Sequence, residues 1–408
     1  MTESSKKLAS FEYAKKVMFK NIKKIKTEII DIYNAGDRVL AENIYTKIDI
    51  PNFDNSAVDG FGFKNSKKKK EYKVVGESRP GKPFIRKLND NEAIRVYTGA
   101  YVLKEVTGID TVCMEENAEL NGKVLINIKK TRSGANIRLK AEDVKKNTKI
   151  LKIGRKIRSV DLSQLCSIGI KKIKVYKKLK IGVFSTGDEL SSSFKNKKKY
   201  QIYDSNKLAL ISLFTKIGCE VVDFGIIKDS FSETKKKITN KLNKVDLIVT
   251  SGGVSNSRTD NIGKFFKENG RILFWRISVK PGRPFAFGEI NKIPFVGLPG
   301  NPVAAIITFF MLVVDYVKKL SGYNENQIIS RFLPCDFNLK KKIGRTEWLR
   351  GSIIKKKNSY VLKRFPSTGS GIISSITQSE GIIELDEKKG YIKKGSVLKF
   401  FRYEDLLN

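Results

Sequence analysis

The chain has 408 residues, 40% hydrophobic and 30% charged, which suits several globular domains and excludes a disordered protein. Its 80 Lys and Arg outnumber 42 Asp and Glu, giving a formal net charge of +38. There is no histidine, which excludes Ser-His-Asp triads, histidine general bases and histidine-bound zinc.

Residues 8–26 set Phe11, Ala14, Val17, Ile22 and Ile25 at helical spacing, with Ser10 as the N-cap. Over 46–139, Gly, Pro and Asn punctuate short alternating apolar runs at 72–75, 93–96, 111–114 and 124–128, which predicts a β-rich domain. Residues 140–178 return to a mixed pattern and group with 8–45 as a linking domain. Residues 179–330 alternate strands (180–184, 219–224, 246–250, 294–298) with helices. Asp204 or Ser205 caps the first of these helices, and Gly218 ends it. Ser230 and Glu233 form a capping box for the second, and a third spans about 260–268. Asn301 caps the fourth, with Pro302 in its first turn. Such alternation predicts a doubly wound parallel sheet. The longest apolar run, 302–314, is too short to span a bilayer and reads as a buried helix. Residues 331–408 hold short β-like runs and predict a C-terminal β domain, a small barrel or sandwich. The expected fold class is therefore an α/β multidomain chain: a doubly wound parallel-sheet domain, β-rich domains and a C-terminal small β-barrel.

A large positive field draws polyanions. Lys runs, however, occur in every segment instead of gathering with aromatics on one face, so a biased composition accounts for the charge and no specific nucleic-acid partner is expected. The basic surface still favours small anionic substrates. Cys113, Cys166, Cys219 and Cys335 form no C-x-x-C pair, so reduced, buried thiols in a cytoplasmic protein are expected. The N-terminal residues lead into no apolar run, so neither a signal peptide nor a membrane partner is expected.

In open α/β sheets, ligands bind beyond the carboxyl ends of the strands. The special turns of residues 179–330 fall there: Ser185-Thr186-Gly187-Asp188-Glu189, Ser251-Gly252-Gly253-Val254-Ser255, and Gly297-Leu298-Pro299-Gly300-Asn301. Glycines let backbone N–H groups approach an anion, although each turn alone could be an ordinary tight one. Asp188, Glu189, Asp229 and Asp260 could face one cleft and suit Mg²⁺, or could simply be acids at helix N-termini. Lys280-Pro281-Gly282-Arg283-Pro284 holds two cations across a rigid turn, as an oxyanion needs, and Arg276 adds a third. Residues 51–61 crowd Asn52, Asp54, Asn55, Ser56 and Asp59 into one loop.

Together these motifs resemble the molybdopterin molybdenumtransferase family, which includes bacterial MoeA and the E domains of gephyrin and its plant counterpart. The resemblance runs in order along nearly the whole chain. It rests on Phe53-Asp54-Asn55-Ser56-Ala57-Val58-Asp59-Gly60, Thr98-Gly99-Ala100, Asn136-Ile137-Arg138 with Glu142-Asp143, and Ser185-Thr186-Gly187-Asp188-Glu189-Leu190. It continues through Tyr203-Asp204-Ser205-Asn206, Ser251 to Ser255 with Asp260, Lys280 to Pro284, Gly297 to Pro302, and Thr346-Glu347 with Arg350-Gly351. Departures are Ala141 where the family usually has Gly, a longer 101–110 segment that lacks a Pro, Ser257 for Gly, and Arg283 for Lys.

The resemblance implies an elongated homodimer that inserts molybdate into adenylylated molybdopterin, giving molybdenum cofactor and AMP with Mg²⁺. It implies catalytic roles for Asp59, Thr98, Asp143, Glu189, Lys280, Arg350 and Ser370, the last three holding the molybdate oxyanion. Substrate contacts would come from Ser251, Gly252, Gly253, Ser255, Arg138, Arg276, Pro299 and Asn301. Glu189, Asp229 and Asp260 would lie toward Mg²⁺. The upstream adenylyltransferase and acceptor molybdoenzymes are the implied partners. An adenylyltransferase would match the central domain alone, without the Asp59 and Arg350 segments. A non-enzymatic polyanion-binding scaffold would fit the charge, but no separate scaffold domain is evident.

Overall fold

The computed structural model describes residues 8–408 except 21, 23, 24, 67–70, 127–130, 192, 255–260, 325–328, 357 and 408, with 267 described by its backbone alone. The chain divides into two compact units: Glu42–Ile153 with Ser159–Lys172, and Met1–Ala41 with Gly154–Arg158 and Ile173–Asn408.

Helix α1 (Phe11–Lys20) belongs to the larger unit and buries Phe11, Ala14 and Met18. Ser10 caps it as expected, its Oγ accepting from Tyr13 N at 3.2 Å. The helix spans Phe11–Lys20, short of the predicted residue 26. Ile22 and Ile25 reach the same core from beyond its end.

The smaller unit is built on a six-stranded sheet, ordered β4-β1-β3-β2-β6-β5. Its strands are β1 (Gly60–Phe63), β2 (Tyr72–Ser78), β3 (Glu92–Val96), β4 (Thr111–Met114), β5 (Glu119–Asn121) and β6 (Val124–Ile126). Pairing is antiparallel except between β2 and β3. Period-two alternation gives the sheet two cores. Phe61, Phe63, Ala93 and Cys113 pack on one face, and Ile94, Val96 and Val112 on the other. Helix α2 (Ser159–Ser167) buries Leu165 and leaves Cys166 exposed. The expectation of four buried thiols is thus wrong at Cys166: its helical neighbour Leu165 takes the inward position.

In the larger unit a second sheet runs β8-β7-β9-β13-β12-β10. Its strands are β7 (Lys180–Thr186), β8 (Glu220–Ile227), β9 (Leu247–Ser251), β10 (Gly270–Trp275), β12 (Ala286–Ile290) and β13 (Ile293–Leu298); β11 (Val279–Lys280) lies elsewhere. The four strands β8, β7, β9 and β13 are parallel, and β12 and β10 add on antiparallel. The expected doubly wound parallel sheet is present in those four strands, and the antiparallel pair extends it. Strands β10 and β12 were not foreseen, because Gly270, Gly288 and the Pro-Gly turn between them mask their apolar runs. Helices α3 (Ser205–Lys216) and α4 (Phe231–Thr239) connect parallel strands, and α5 (Asn261–Asn269) leads from β9 into the antiparallel β10. Asp204 caps α3, accepting from Lys207 N, and Ser230 caps α4. Helix α6 (Pro302–Thr308) runs through a π-turn (Phe309–Val313) into α7 (Val314–Leu320), almost wholly buried as predicted. Asn301 stands at the N-cap of α6, but its side chain makes no cap bond; its carbonyl accepts from Ala305 N.

The C-terminal strands are β14 (Arg331–Pro334), β15 (Thr346–Lys356), β16 (Ser359–Arg364), β17 (Gly381–Leu385) and β18 (Val397–Arg402). They order as β15-β17-β18-β14, with β16 on the other side of β15. A parallel bridge from Cys335 to Leu362 brings the end of β14 back to β16 and closes the ring, the expected small barrel. Leu349, Leu362, Ile383 and Phe400 fill it. Strand β11 joins this barrel, pairing parallel to the start of β15.

Candidate functional site

In the larger unit the three turns do meet at the carboxyl edge of the parallel strands. Asn206, in the first turn of α3, donates from Nδ2 to Ser251 Oγ and to Gly300 O, each at 2.8 Å. Ser251 Oγ bonds Pro299 O at 3.4 Å, and Gly252 N bonds Leu298 O at 3.0 Å. Gly253 has φ +67, and a Cβ there would lie 2.7 Å from Thr186 Oγ1, so only glycine lets the turns after β7 and β9 touch. Ser185 Oγ donates to Asp204 Oδ1 at 3.0 Å. Asp204 Oδ2 and Asn206 Oδ1 are buried acceptors with no partner among the described residues. They are what a ligand bearing N–H donors would satisfy. Sequence reasoning read this run as a helix cap and family motif and gave neither residue a site role.

The acids lie beside the first turn. The Glu189 carboxylate folds back over Gly187, where a Cβ would stand 2.4 Å from Glu189 Oε2. Asp188 Oδ1 accepts from Asp229 N at 3.3 Å, tying the turn after β7 to the one after β8. Ser255 and Asp260 lie outside the described residues. Among the described residues no group of three His, Cys, Asp or Glu is gathered tightly enough to hold a metal ion by itself.

Pro299 and Asn301 also line a cavity of about 290 Å³ together with Lys280, Arg283, Arg345 and Ser370. Its cations are set by secondary structure. The β11–β15 pairing puts Lys280 opposite Glu347, with Nζ 3.5 Å from Oε2, while Arg345 Nε donates to Oε1 at 2.8 Å. Glu347 is only 3% exposed, so this buried carboxylate fixes both cations. Gly282 has φ +109 and is pressed against α6: a Cβ there would stand 2.2 Å from Thr308 Cγ2. Arg345 had not been singled out; its nearness to Lys280 arises from the pairing of Lys280 with Glu347, distant in the chain, which no local pattern announces.

Arg350 does not line this cavity. Its buried guanidinium donates from Nε to Ser375 Oγ at 3.0 Å, and from Nη2 to Ser367 O and Gly369 O at 3.0 and 3.2 Å. Burial lowers its pKa from the ordinary value. Arg350 thus pins the loop that carries Thr368 and Ser370 to the cavity, and Val303 N, at the start of α6, holds Ser370 O at 3.1 Å. Arg276, at the end of β10 with φ +91, is also outside the cavity lining.

The remaining candidates sit on the smaller unit. Asp59 Oδ1 accepts from Thr98 N at 2.7 Å and from Thr98 Oγ1 at 2.9 Å. These two bonds, with Arg95 nearby, hold the Asp59 carboxyl below the usual carboxylate range. Arg138 pairs with Asn55 across a short ladder, and Asp54 Oδ1 accepts from Lys140 N at 2.7 Å. Asp143 N donates to Ile50 O, and Ala141 N to Pro51 O, which laces 137–143 to the polar loop. Ala141 has φ +63, the left-handed region.

Residues 9–169 match the MoeA N-terminal region (domain I and II), 182–319 a probable molybdopterin binding domain, and 333–401 the MoeA C-terminal region (domain IV). The chain is 36% identical over 386 residues to the molybdopterin molybdenumtransferase of Haemophilus influenzae, covering 93% of this chain and 95% of that one. The chain belongs to the molybdopterin molybdenumtransferase family.

Gephyrin of Dictyostelium discoideum is 29% identical over 451 residues, covering 97% of this chain and 62% of its own. The crystal structure of the molybdopterin biosynthesis MoeA protein from Pyrococcus horikoshii superposes with a TM-score of 0.83 at 28% identity, over 97% of this chain and 100% of that one. Membership makes this a transferase of molybdenum cofactor biosynthesis that acts on molybdopterin. The turns at Ser251 and Pro299 fall within the molybdopterin binding match, residues 182–319.

Proposed function

We propose that this molybdenumtransferase takes adenylylated molybdopterin and molybdate, and yields molybdenum cofactor and AMP. The observation that carries this reading is the junction of two sites at Pro299. On one side the Pro299–Asn301 turn meets Ser251 and Asn206 at the carboxyl edge of the parallel strands, beside the unpartnered acceptors Asp204 Oδ2 and Asn206 Oδ1. On the other lies a cavity ringed by Lys280, Arg283 and Arg345, suited to a tetrahedral dianion. A pterin held along this edge would bring its dithiolene toward the oxyanion. The cations would gather the charge that builds up as the phosphoanhydride breaks.

Mg²⁺ fits the donor set. Glu189 and Asp229 offer hard oxygens at adjoining turns, and Mg²⁺ is commonly held by one or two carboxylates plus substrate phosphates. When bound, it would neutralise phosphate charge. The protein's own task is to hold the two turns together, and the bond from Asp229 N to Asp188 Oδ1 supports that role. On the smaller unit, Asp59 with Thr98, Arg138 and Asp143 are assigned to the same reaction. The family resemblance also supports a homodimer, a cytoplasmic setting, hand-over from an upstream adenylyltransferase to acceptor molybdoenzymes, and a four-part division of the chain. No helix among the described residues is long and apolar enough to cross a membrane.

The test is AMP release from adenylylated molybdopterin with Mg²⁺, with and without molybdate. Molybdate-dependent release that is lost in Lys280→Ala and Asp59→Asn supports the reading. A folded wild type that releases no AMP refutes it.

A further inference from the structure

A second cavity, of about 510 Å³, adjoins the first, and Lys280, Arg345 and Thr368 line both. Its other wall is the run Lys340, Lys341 and Lys342, with Glu347 at the back. This run is held in place. Lys341 Nζ donates to Lys342 O at 3.2 Å, Asp386 O at 2.9 Å and Lys389 O at 3.0 Å, which uses all three of its protons. A further backbone bond, Lys341 N to Gly390 O at 2.8 Å, fixes the same strand. Lys340 and Lys342, on either side, alternate away from Lys341 and make no salt bridge among the described residues. The carboxylates nearby are Glu347, already engaged by Lys280 and Arg345, and Asp386 and Glu387, which act on Lys341. Lining charges are thus five cations against one neutralised carboxylate.

We propose that this second cavity is an anion-holding annex for a small tetrahedral dianion, in which molybdate is bound before it passes, across the shared wall of Lys280, Arg345 and Thr368, into the first cavity. The proposal rests on the functional reading above. Its logic is electrostatic. A dianion at Lys340 and Lys342 trades water for fixed ammonium groups and moves inward along continuous positive lining. Glu347 faces both steps, and by holding Lys280 and Arg345 it keeps the shared wall from collapsing onto either ion.

The experiment is equilibrium dialysis of the full chain against molybdate in about 0.15 M chloride, where loosely held surface ions are screened, with metal counted per chain. The wild type should retain two equivalents, and a Lys340→Ala, Lys342→Ala double variant one. Sulfate should displace the outer equivalent first. In the transferase assay the double variant should keep its rate at saturating molybdate, with a several-fold higher KM for molybdate and a KM for adenylylated molybdopterin that does not move. One equivalent on the wild type, or two on the double variant, overturns the proposal. The functional reading is judged separately. Two equivalents without AMP release would sink that reading and leave the annex, whereas AMP release with one equivalent would sink the annex alone.

Discussion

Thr98 gives Asp59 both of its donors, the backbone N–H at 2.7 Å and the hydroxyl at 2.9 Å, and both reach the same carboxylate oxygen. Each bond favours the charged form, so the carboxyl titrates below its ordinary value. Where a folded-state pKa is depressed, the benefit is present above the unfolded value and fades as pH falls through the folded one. Thr98→Val removes one bond and keeps the shape. The acid limb of the molybdate-dependent rate should therefore move to higher pH in Thr98→Val, with the neutral-pH rate reduced less. A limb that stays in place would show that Asp59 ionisation does not govern it.

Gly282 faces Thr308 Cγ2 at a distance where no Cβ fits, and its φ of +109 disfavours any side chain. Gly282→Ala should cost about 2–5 kcal/mol from overpacking and backbone strain together, and should displace Lys280 and Arg283. Adding Thr308→Ser removes the clashing methyl but keeps the hydroxyl that bonds Ala304 O at 2.7 Å. The double variant should recover part of the stability, and chemical denaturation measures both.

Ala141 stands in the left-handed region at φ +63. Ala141→Gly relieves a strain of about 1–2 kcal/mol at a smaller entropic cost. A net gain in unfolding free energy of up to about 1 kcal/mol is expected. A loss would mean that the loop does not hold this conformation.

Ser375 is fully buried and accepts from Arg350 Nε. Ser375→Ala leaves a buried guanidinium N–H unpaired, which costs about 1–3 kcal/mol. Because Arg350 also anchors Ser367 and Gly369, the loop bearing Thr368 and Ser370 should loosen, so KM for molybdate should rise while KM for the pterin substrate holds. Equal changes in both would assign Ser375 to general stability.

Thiol chemistry separates the cysteines. Cys166 is exposed, whereas Cys113, Cys219 and Cys335 are buried, and burial pushes the Cys219 thiol up to about 12. A maleimide should label one thiol per folded chain and all four after denaturation. Fast labelling of a second thiol in the folded chain would contradict the packing.

Much of this was legible in the sequence where structure is local. Ser10, Asp204 and Ser230 announce their helix starts, and the apolar runs of β7 and β9 announce strands covered on both faces. The run after Pro302 reads as buried because it is apolar all round. What escaped depends on partners distant in the chain. Strands β10 and β12 are recognisable only once paired with each other and with β13. Arg345 became a site candidate only through the β11–β15 pairing, and the bonds from Arg350 Nη2 to carbonyls of the 367–369 loop follow no spacing rule. The burial of Asp204 Oδ2 and Asn206 Oδ1 likewise follows from the convergence of three turns.

The bridge from Cys335 to Leu362 bears on how the barrel meets other chains. A sheet with open margins offers unpaired N–H and C=O groups on which another chain can add a strand, the usual first step of fibril growth. By bringing the end of β14 back to β16, the bridge shortens the open margin on which another chain could add a strand. A chain this rich in lysine already repels its copies at long range, and the closed ring guards against the short-range encounters that added salt would otherwise allow.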